Sequence, residues 1–265
     1  MSVHDHNRRA WDEMVRDRQR FTRPARDEDF ADPLAAVDSL GWLGGNIRGA
    51  RLLCLAAGGG KHAALYAAAG AIVTVVDISP AMLELDRQVA AERRLDLRTV
   101  AASMDEMPML TAGEFDIVIH PVSTCYVPSV APVYREVARI TRPGGLYISQ
   151  HKSPTSLQAD TQISPRGYEL VEPYYRSGPL PAVVGSRHRE EGTLEYLHRW
   201  SELLGQLCHS GFVIEDLVEP LHAKDDAPPG SFEHRSRYVA PYVRIKARRS
   251  GAWSDDSRPR SILIQ

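Results

Sequence analysis

The sequence predicts an α/β protein built on a mostly parallel, doubly wound sheet, and three observations carry that prediction. Short apolar runs rich in β-branched residues recur at 51–56, 72–77, 96–101, 115–121 and 145–151, as strands buried on both faces require. Helix-forming stretches at 61–69, 80–93 and 130–140 fall between them, and strands alternating with helices close a parallel sheet by right-handed crossovers. The first strand opens into Gly58-Gly59-Gly60 and the second ends on Asp77, the strand–turn–helix–strand unit of a nucleotide site.

Taken in order, residues 4–21 set Trp11, Met14, Val15 and Phe21 among charges and read as a loose amphipathic helix. Asp32-Pro33 supplies an N-cap and a first-turn proline for a helix through Leu34, Val37 and Leu40 that stops near Gly44-Gly45. In the glycine turn, the absence of a Cβ lets the backbone pass close to a ligand. Asp77 can accept both hydroxyl hydrogens of a ribose, so the unit predicts an adenosine-type cofactor.

The pattern changes after residue 152. Residues 153–192 hold many Pro, Gly and Ser, with Tyr168, Tyr174 and Tyr175 and no clean periodicity, and a loop of that length is expected to be a lid. Thr193 then opens a periodic helix through Leu194, Leu197, Trp200, Leu203, Leu204 and Leu207, ended by Ser210-Gly211. Val213–Val218 and Tyr242–Ala247 read as two final strands, with a charged, proline-rich flap at 222–238 between them. The expected layout is one domain over 1–248: a helical cap (1–48), a cofactor-binding core (49–152), a lid (153–192) and a C-terminal helix with a strand pair (193–248). A polar tail at 249–265 follows, apolar only at Ile262–Ile264.

Composition narrows the partners. Lys and Arg total 32 against 34 Asp and Glu, so no basic field exists to recruit nucleic acid by counterion release. No basic block or apolar run of ~20 residues suits a membrane. Cys54, Cys125 and Cys208 are widely spaced, which argues against a disulfide framework or a cysteine zinc site and fits a reducing compartment. The polar N-terminus lacks an apolar signal core, and a cytoplasmic location is expected.

The spacing from Gly60 to Asp77 suits either NAD or S-adenosylmethionine. Three further features favour the methyl donor. Asp77 is followed by Ile78-Ser79-Pro80 and then Met82, which offers an apolar surface for adenine and a helix start. The third strand ends in Ala102-Ser103-Met104-Asp105, where a polar side chain and an N–H can address the adenine edge. Ile140–Ile148 reads as a helix end, a Pro143-Gly144-Gly145 turn and a buried strand.

These segments resemble the class I S-adenosylmethionine-dependent methyltransferases, in particular the small-molecule branch related to ubiquinone- and menaquinone-pathway enzymes. The resemblance is strong over 50–150 and present in outline over 193–247. It implies a Rossmann-like seven-stranded sheet in the order 3-2-1-4-5-7-6 with the last strand antiparallel. It also implies that Ala56, Ala57, Gly58, Gly59 and Gly60 cradle the methionine part of S-adenosyl-L-methionine, and that Asp77 takes the ribose. Ile78 and Met82 fall against the adenine, Ser103 and Met104 at its edge, and Pro121 toward the methionine carboxylate or the acceptor. Cys54 stands where the family usually has an acid, and Ala56 where it has glycine. Those departures leave open a relative that cleaves or cyclises the cofactor, and an NAD(P) oxidoreductase is the other alternative.

Methyl transfer needs in-line positioning of an acceptor and, for a protonated acceptor, a base. His120 and His151 close the fourth and fifth strands at the ligand-facing rim and are the candidate bases, with ligand contact or a structural hydrogen bond as the other readings. Tyr126 is the expected aromatic wall, and Tyr168, Tyr174 and Arg187 are candidate acceptor contacts. Cys54 reads as an unreactive core thiol. His188, Glu190 and His198 do not have a recognised ligand spacing, so no metal is expected. The partner is a small-molecule acceptor whose identity and methylated atom the sequence leaves open, and the edge strands leave room for a homodimer.

Overall fold

The computed structural model describes residues 1–251, so Ile262–Ile264 and most of the tail lie outside the described residues. Seven strands form one sheet: β1 (Arg51–Leu55), β2 (Ile72–Asp77), β3 (Leu97–Ala101), β4 (Phe115–His120), β5 (Thr141–Lys152), β6 (Phe212–Val218) and β7 (Tyr242–Arg249). Their order is β3-β2-β1-β4-β5-β7-β6, as the resemblance implies. The first five are mutually parallel, and β7 runs antiparallel to both β5 and β6. Along β1, Leu53 and Leu55 enter one core while Leu52 and Cys54 enter the core on the opposite face. Both faces are therefore covered, which is why these runs are continuously apolar rather than alternating.

Helices α1 (Val3–Arg16) and α2 (Pro33–Val37) precede the sheet, and α3 (His62–Ala68), α4 (Pro80–Arg93) and α5 (Ala131–Ile140) cross between its strands. Short helices α6 (Pro154–Gln158), α7 (Gln206–His209) and α8 (Phe232–Arg235) follow β5. The start of α4 shows its local cause: the Ser79 hydroxyl accepts the Met82 N–H and Pro80 occupies the first turn.

Several elements end earlier or start later than the pattern predicts. Helix α1 stops at Arg16 because Arg18 takes φ 51°, and Phe21 sits in a separate 3₁₀ turn, Arg20–Thr22. Helix α2 stops at Val37 because the Asp38 carboxylate accepts the N–H groups of Trp42 (2.8 Å) and Leu43 (2.9 Å), turning the chain before Leu40. The Pro143-Gly144-Gly145 turn is absorbed into β5, whose pairing with β4 shifts register between Phe115 and Ile117.

The largest correction concerns the helix expected from Thr193. Residues 193–199 form neither helix nor strand, and helical structure begins only at Trp200, passing through a π turn (Ser201–Gly205) into α7. Neighbouring segments satisfy the backbone groups a helix would otherwise have paired. The Leu180 N–H donates to the Glu195 carbonyl and the Tyr196 N–H to the Cys125 carbonyl, both at 2.7 Å. Asn7 brackets Leu194, accepting its N–H at 2.8 Å and donating to its carbonyl at 3.1 Å. Leu197 is buried from this non-helical segment, so its apolarity did not need a helix to explain it.

Residues 153–192 are tied to the body through Arg235, only 1% exposed, which donates to the carbonyls of Ser156, Ala159 and Asp160. No helix among the described residues is long and apolar enough to cross a membrane.

Candidate active site

Strand order reverses between β1 and β4, and open α/β sheets form their ligand crevice beyond the carboxyl ends of the strands at such a point. At that crest Ala56 takes φ 47° while its N–H donates to the Val76 carbonyl at 2.7 Å. The Gly58 N–H donates to Asp77 Oδ2 at 2.9 Å. A Cβ on Gly58 would stand 2.8 Å from Met82 Cβ and 3.0 Å from Asp77 Oδ2, so the loop can only be drawn this tightly onto β2 with glycine there.

Gly59 and Gly60 do something else. Their N–H groups donate to Asp86 Oδ2 (3.0 Å) and Oδ1 (2.9 Å), so these amides shape the loop from behind instead of facing the crevice. Asp86 was missed by sequence reasoning. It sits on the buried stripe of α4 with Met82, Leu83, Val89 and Ala90, and an acid on that stripe was the available signal. Burial pushes its carboxyl up to about 7 against the two glycine N–H groups, and the Asp77 charge adds to the rise.

Asp77 accepts the N–H of Ser79 at Oδ1 (2.9 Å) as well as that of Gly58. A carboxylate offers about four acceptor sites, so Asp77 keeps acceptor capacity beyond these N–H groups. Burial raises its carboxyl to about 6, the Ser79 and Gly58 N–H groups oppose that, and Asp12 adds to it.

Helix α1 roofs the crevice. Asn7 donates to the Tyr126 carbonyl at 3.0 Å, Asp12 accepts the Ser79 hydroxyl at 2.6 Å, and the Trp11 ring meets Tyr126 edge-on at 5.7 Å. Beneath it lies a cavity of about 520 Å³. Its wall brings together Ala56, Ala57, Gly58, Asp77, Ile78 and Met82, then Ser103, Met104, Pro121 and Tyr126, with Arg187 also on it.

Other expected residues lie elsewhere. His120 and His151 are each 1% exposed and neither lines this cavity; His120 borders a neighbouring one of about 720 Å³. Hydroxyls take both nitrogens of each ring. His120 Nδ1 meets the Tyr147 hydroxyl (2.8 Å) and Nε2 the Ser123 hydroxyl (2.6 Å). His151 meets Thr124 Oγ1 and Ser149 Oγ, both at 2.8 Å. Burial lowers His120 to about 3, and burial, with His120 and His198 nearby, also lowers His151, so both are neutral near pH 7. Tyr168 is bonded to His234 Nδ1 at 3.0 Å and packs on Tyr238, while the Tyr174 hydroxyl accepts the Trp200 N–H at 3.3 Å. Tyr168 and Tyr174 thus hold loops together away from the cavity.

The cavity also gathers residues that sequence reasoning did not assign to it: Arg20, Lys61, Arg244, His222, Phe232 and Tyr242. Glu190 reaches it from a buried ionic cluster. Lys152 Nζ donates to Glu190 Oε2 (2.5 Å) and Glu195 Oε1 (2.6 Å), Arg189 pairs with Glu195, and the Tyr126 hydroxyl donates to Glu190 at 2.8 Å. Burial raises the Glu190 carboxyl despite Lys152; burial pushes Glu195 the same way, but Lys152 and Arg189 prevail and hold it below its ordinary range. His188 stacks on Phe232 and His198 meets the Thr124 carbonyl at 2.9 Å, so His188, Glu190 and His198 each serve different partners.

Comparison with known proteins agrees with the fold. Residues 53–149 match the family model described as a methyltransferase domain. Over 229 residues, 81% of this chain and 89% of the relative, the chain is 30% identical to the uncharacterized methyltransferase YbaJ of Bacillus subtilis (strain 168). It is 30% identical over 174 residues to a ubiquinone biosynthesis O-methyltransferase of Bordetella pertussis, covering 60% of this chain and 70% of that protein. An S-adenosylmethionine dependent methyltransferase from Mesorhizobium loti shares the fold with a TM-score of 0.62 at 22% identity, covering 77% of this chain and 93% of that one. Sheet order, the matched domain and the relatives define a class I S-adenosylmethionine-dependent methyltransferase. The chain belongs to that family, with S-adenosylmethionine as its cofactor, and membership sets the nicotinamide alternative aside.

Proposed function

We propose that the chain transfers a methyl group to a small organic acceptor, with cofactor and acceptor sharing the cavity of about 520 Å³ under α1. The observation that carries this reading is that one cavity wall contains both Gly58 with Asp77 and, beyond them, Tyr126, Arg187 and Phe232. Its size falls within the range of small-molecule sites, roughly 300–1,000 Å³.

The crest residues fit the cofactor. Ala56, Ala57 and Gly58 bring main chain alongside the methionine part, with Gly59 and Gly60 holding that curve through Asp86. Asp77 keeps acceptor capacity for the ribose hydroxyls, Ile78 and Met82 offer apolar surface to the adenine, and Ser103 with Met104 stands at its edge, with Pro121 on the same wall. When bound, the group supplies a methyl carbon on a sulfonium, an electrophile that needs no metal ligand or covalent nucleophile from the chain.

The chain then has to orient the acceptor and keep water out. Trp11, Tyr126 and α1 close one side, and such positioning can be worth ~7–11 kcal/mol of barrier. His120 and His151 act as positioning residues in this reading: they fix the hydroxyls of Ser123 and Thr124, and Ser123 borders the cavity. Incubating the protein with S-adenosylmethionine and a panel of small acceptors tests the proposal. S-adenosylhomocysteine forming together with a methylated product supports it, whereas 5′-methylthioadenosine as the product would show that the cofactor is cleaved instead.

A further inference from the structure

The charge around the cavity is out of balance. Arg20, Lys61, Arg187 and Arg244 all border it, and none makes an ion pair among the described residues. Elsewhere pairing is common: Arg26, Arg93, Arg142, Arg189 and Arg248 each meet a carboxylate. The two acids on the cavity wall do not compensate. Asp77 is answered by the N–H groups of Gly58 and Ser79, and Glu190 by Lys152 and the Tyr126 hydroxyl.

The four cations share one rim: Arg244 acts on His62, beside Lys61, as well as on His222, and Arg20 acts on Tyr242. Lys61 directly follows the glycine turn, and Arg20 adjoins Phe21, whose carbonyl lies 3.8 Å from where a Gly59 Cβ would stand. Lys61 and Arg20 flank the glycine loop, and the cofactor's methionine part brings a single carboxylate to answer, fewer than the four cations present. Arg187 neighbours His188, which stacks on Phe232, and Arg244 acts on His222. Arg244 is aimed by Gln150, which accepts from its Nε at 2.7 Å, and by a longer contact of Nη1 to Ser39 at 3.4 Å. Beside them His222, Phe232 and Tyr242 form an aromatic wall, with His222 centred 5.4 Å from Phe232 and 5.5 Å from Tyr242. His222 Nε2 is buried there with no hydrogen-bond partner among the described residues. A buried, unpaired polar atom costs stability unless a ligand or water answers it.

We propose that this end of the cavity takes a planar organic anion, an aromatic ring carrying a carboxylate or a phosphate. Arg187 and Arg244 hold the charged group, His222 Nε2 meets a polar atom on the same molecule, and Phe232 with Tyr242 covers the ring face. A bound sulfonium adds a further positive charge and strengthens the preference for an anion. This inference rests on the methyltransferase reading, because the crest is assigned to the cofactor and only the remainder to the acceptor.

Calorimetric titration of the full chain, saturated with S-adenosylhomocysteine, tests it with three probes: benzoate, phenyl phosphate and the neutral benzamide. The expected result is that at least one anion binds about tenfold or more tightly than benzamide. The anion that binds better tells carboxylate from phosphate. Arg187→Gln and Arg244→Gln should each weaken that anion about tenfold while the affinity for S-adenosylhomocysteine and the melting temperature hold. Benzamide binding as tightly as both anions overturns the inference, as does the absence of saturable heat with either anion, or an unchanged anion affinity in both variants. If S-adenosylhomocysteine itself fails to bind the unaltered chain, the cofactor reading falls and this inference falls with it.

Discussion

At the crest of β1 and β2 the cavity wall is main chain held in place by two acids. At the far end it is side chain, delivered by the loop carrying Arg187, the segment with His222 and Phe232, and β7 with Tyr242 and Arg244. The crest is specified by close neighbours in sequence and has little freedom: an added Cβ at Gly58 or Gly60 would come within 2.8 Å of a side-chain carbon. The far end is assembled from separate segments between residues 187 and 244, packed by aromatic contacts and lined by cations that make no ion pair among the described residues. A shared cofactor requires the first kind of construction. An acceptor that differs from one relative to the next is accommodated by the second, where one side chain can change without redrawing the backbone.

Four perturbations sharpen that contrast, from large to small. Asn7→Ala strikes the joint between the two ends, because this buried amide links α1 to both Tyr126 and Leu194. Removing it leaves an N–H and two carbonyls without their partner and should cost roughly 3 kcal/mol, read as a lower midpoint in urea unfolding. A change below about 0.5 kcal/mol would mean that α1 is not docked through this residue.

Next is pH. The ionised Asp77 carboxylate is the form that accepts two hydroxyl hydrogens, and burial raises this group to about 6 in the chain without ligand. Binding therefore drives a proton off below that pH. Affinity for S-adenosylhomocysteine should be flat above pH 7 and fall about tenfold per pH unit below 6, about 1.4 kcal/mol for each unit. Asp77→Asn should bind more weakly and show no such slope. The same slope persisting in that variant would assign it to another group, with Asp86 the first to examine.

His120→Gln probes the rim. A general base contributes about 10²–10⁴-fold, so a base at this position would lose at least a hundredfold in kcat. With both ring nitrogens bonded to hydroxyls, the expected loss is under about tenfold, and it should appear at every pH. A larger loss restores His120 as the proton acceptor.

The smallest effect belongs to Ala56. Left-handed backbone costs a residue with a Cβ roughly 1–2 kcal/mol, while glycine gives part of that back in unfolded-chain entropy. Ala56→Gly should therefore raise stability by up to about 1 kcal/mol, visible as a small rise in melting temperature. A fall would show that the Ala56 methyl makes a packing contact worth more than the relief of strain.

The same contrast explains what could be read from the chain alone. The parallel strands and the crest were legible because buried parallel strands leave continuous apolar runs and because glycine and a strand-end acid have few other reasons to stand at that spacing, while the strand order followed from the family resemblance. The segment after Thr193 misled because its leucine spacing is helical, yet the groups that hold it out of a helix, Asn7 and the carbonyl of Cys125, are distant in sequence. His120 and His151 were correctly placed at strand ends, but strand position says nothing about which hydroxyls will close around a ring. Arg20, Arg244 and His222 carried no local signal at all. Asp86 did carry one, in its position on the buried stripe of α4.

The most direct measurement is a calorimetric titration of S-adenosylhomocysteine onto the unaltered protein and onto Asp77→Ala, both at pH 7.5. The account predicts a single saturable site on the first and a loss of at least ~2 kcal/mol, about thirtyfold in Kd, on the second, because the ribose hydroxyls lose a charged acceptor. Equal affinities, or no binding to the unaltered protein, would contradict the placement of the cofactor against Gly58 and Asp77.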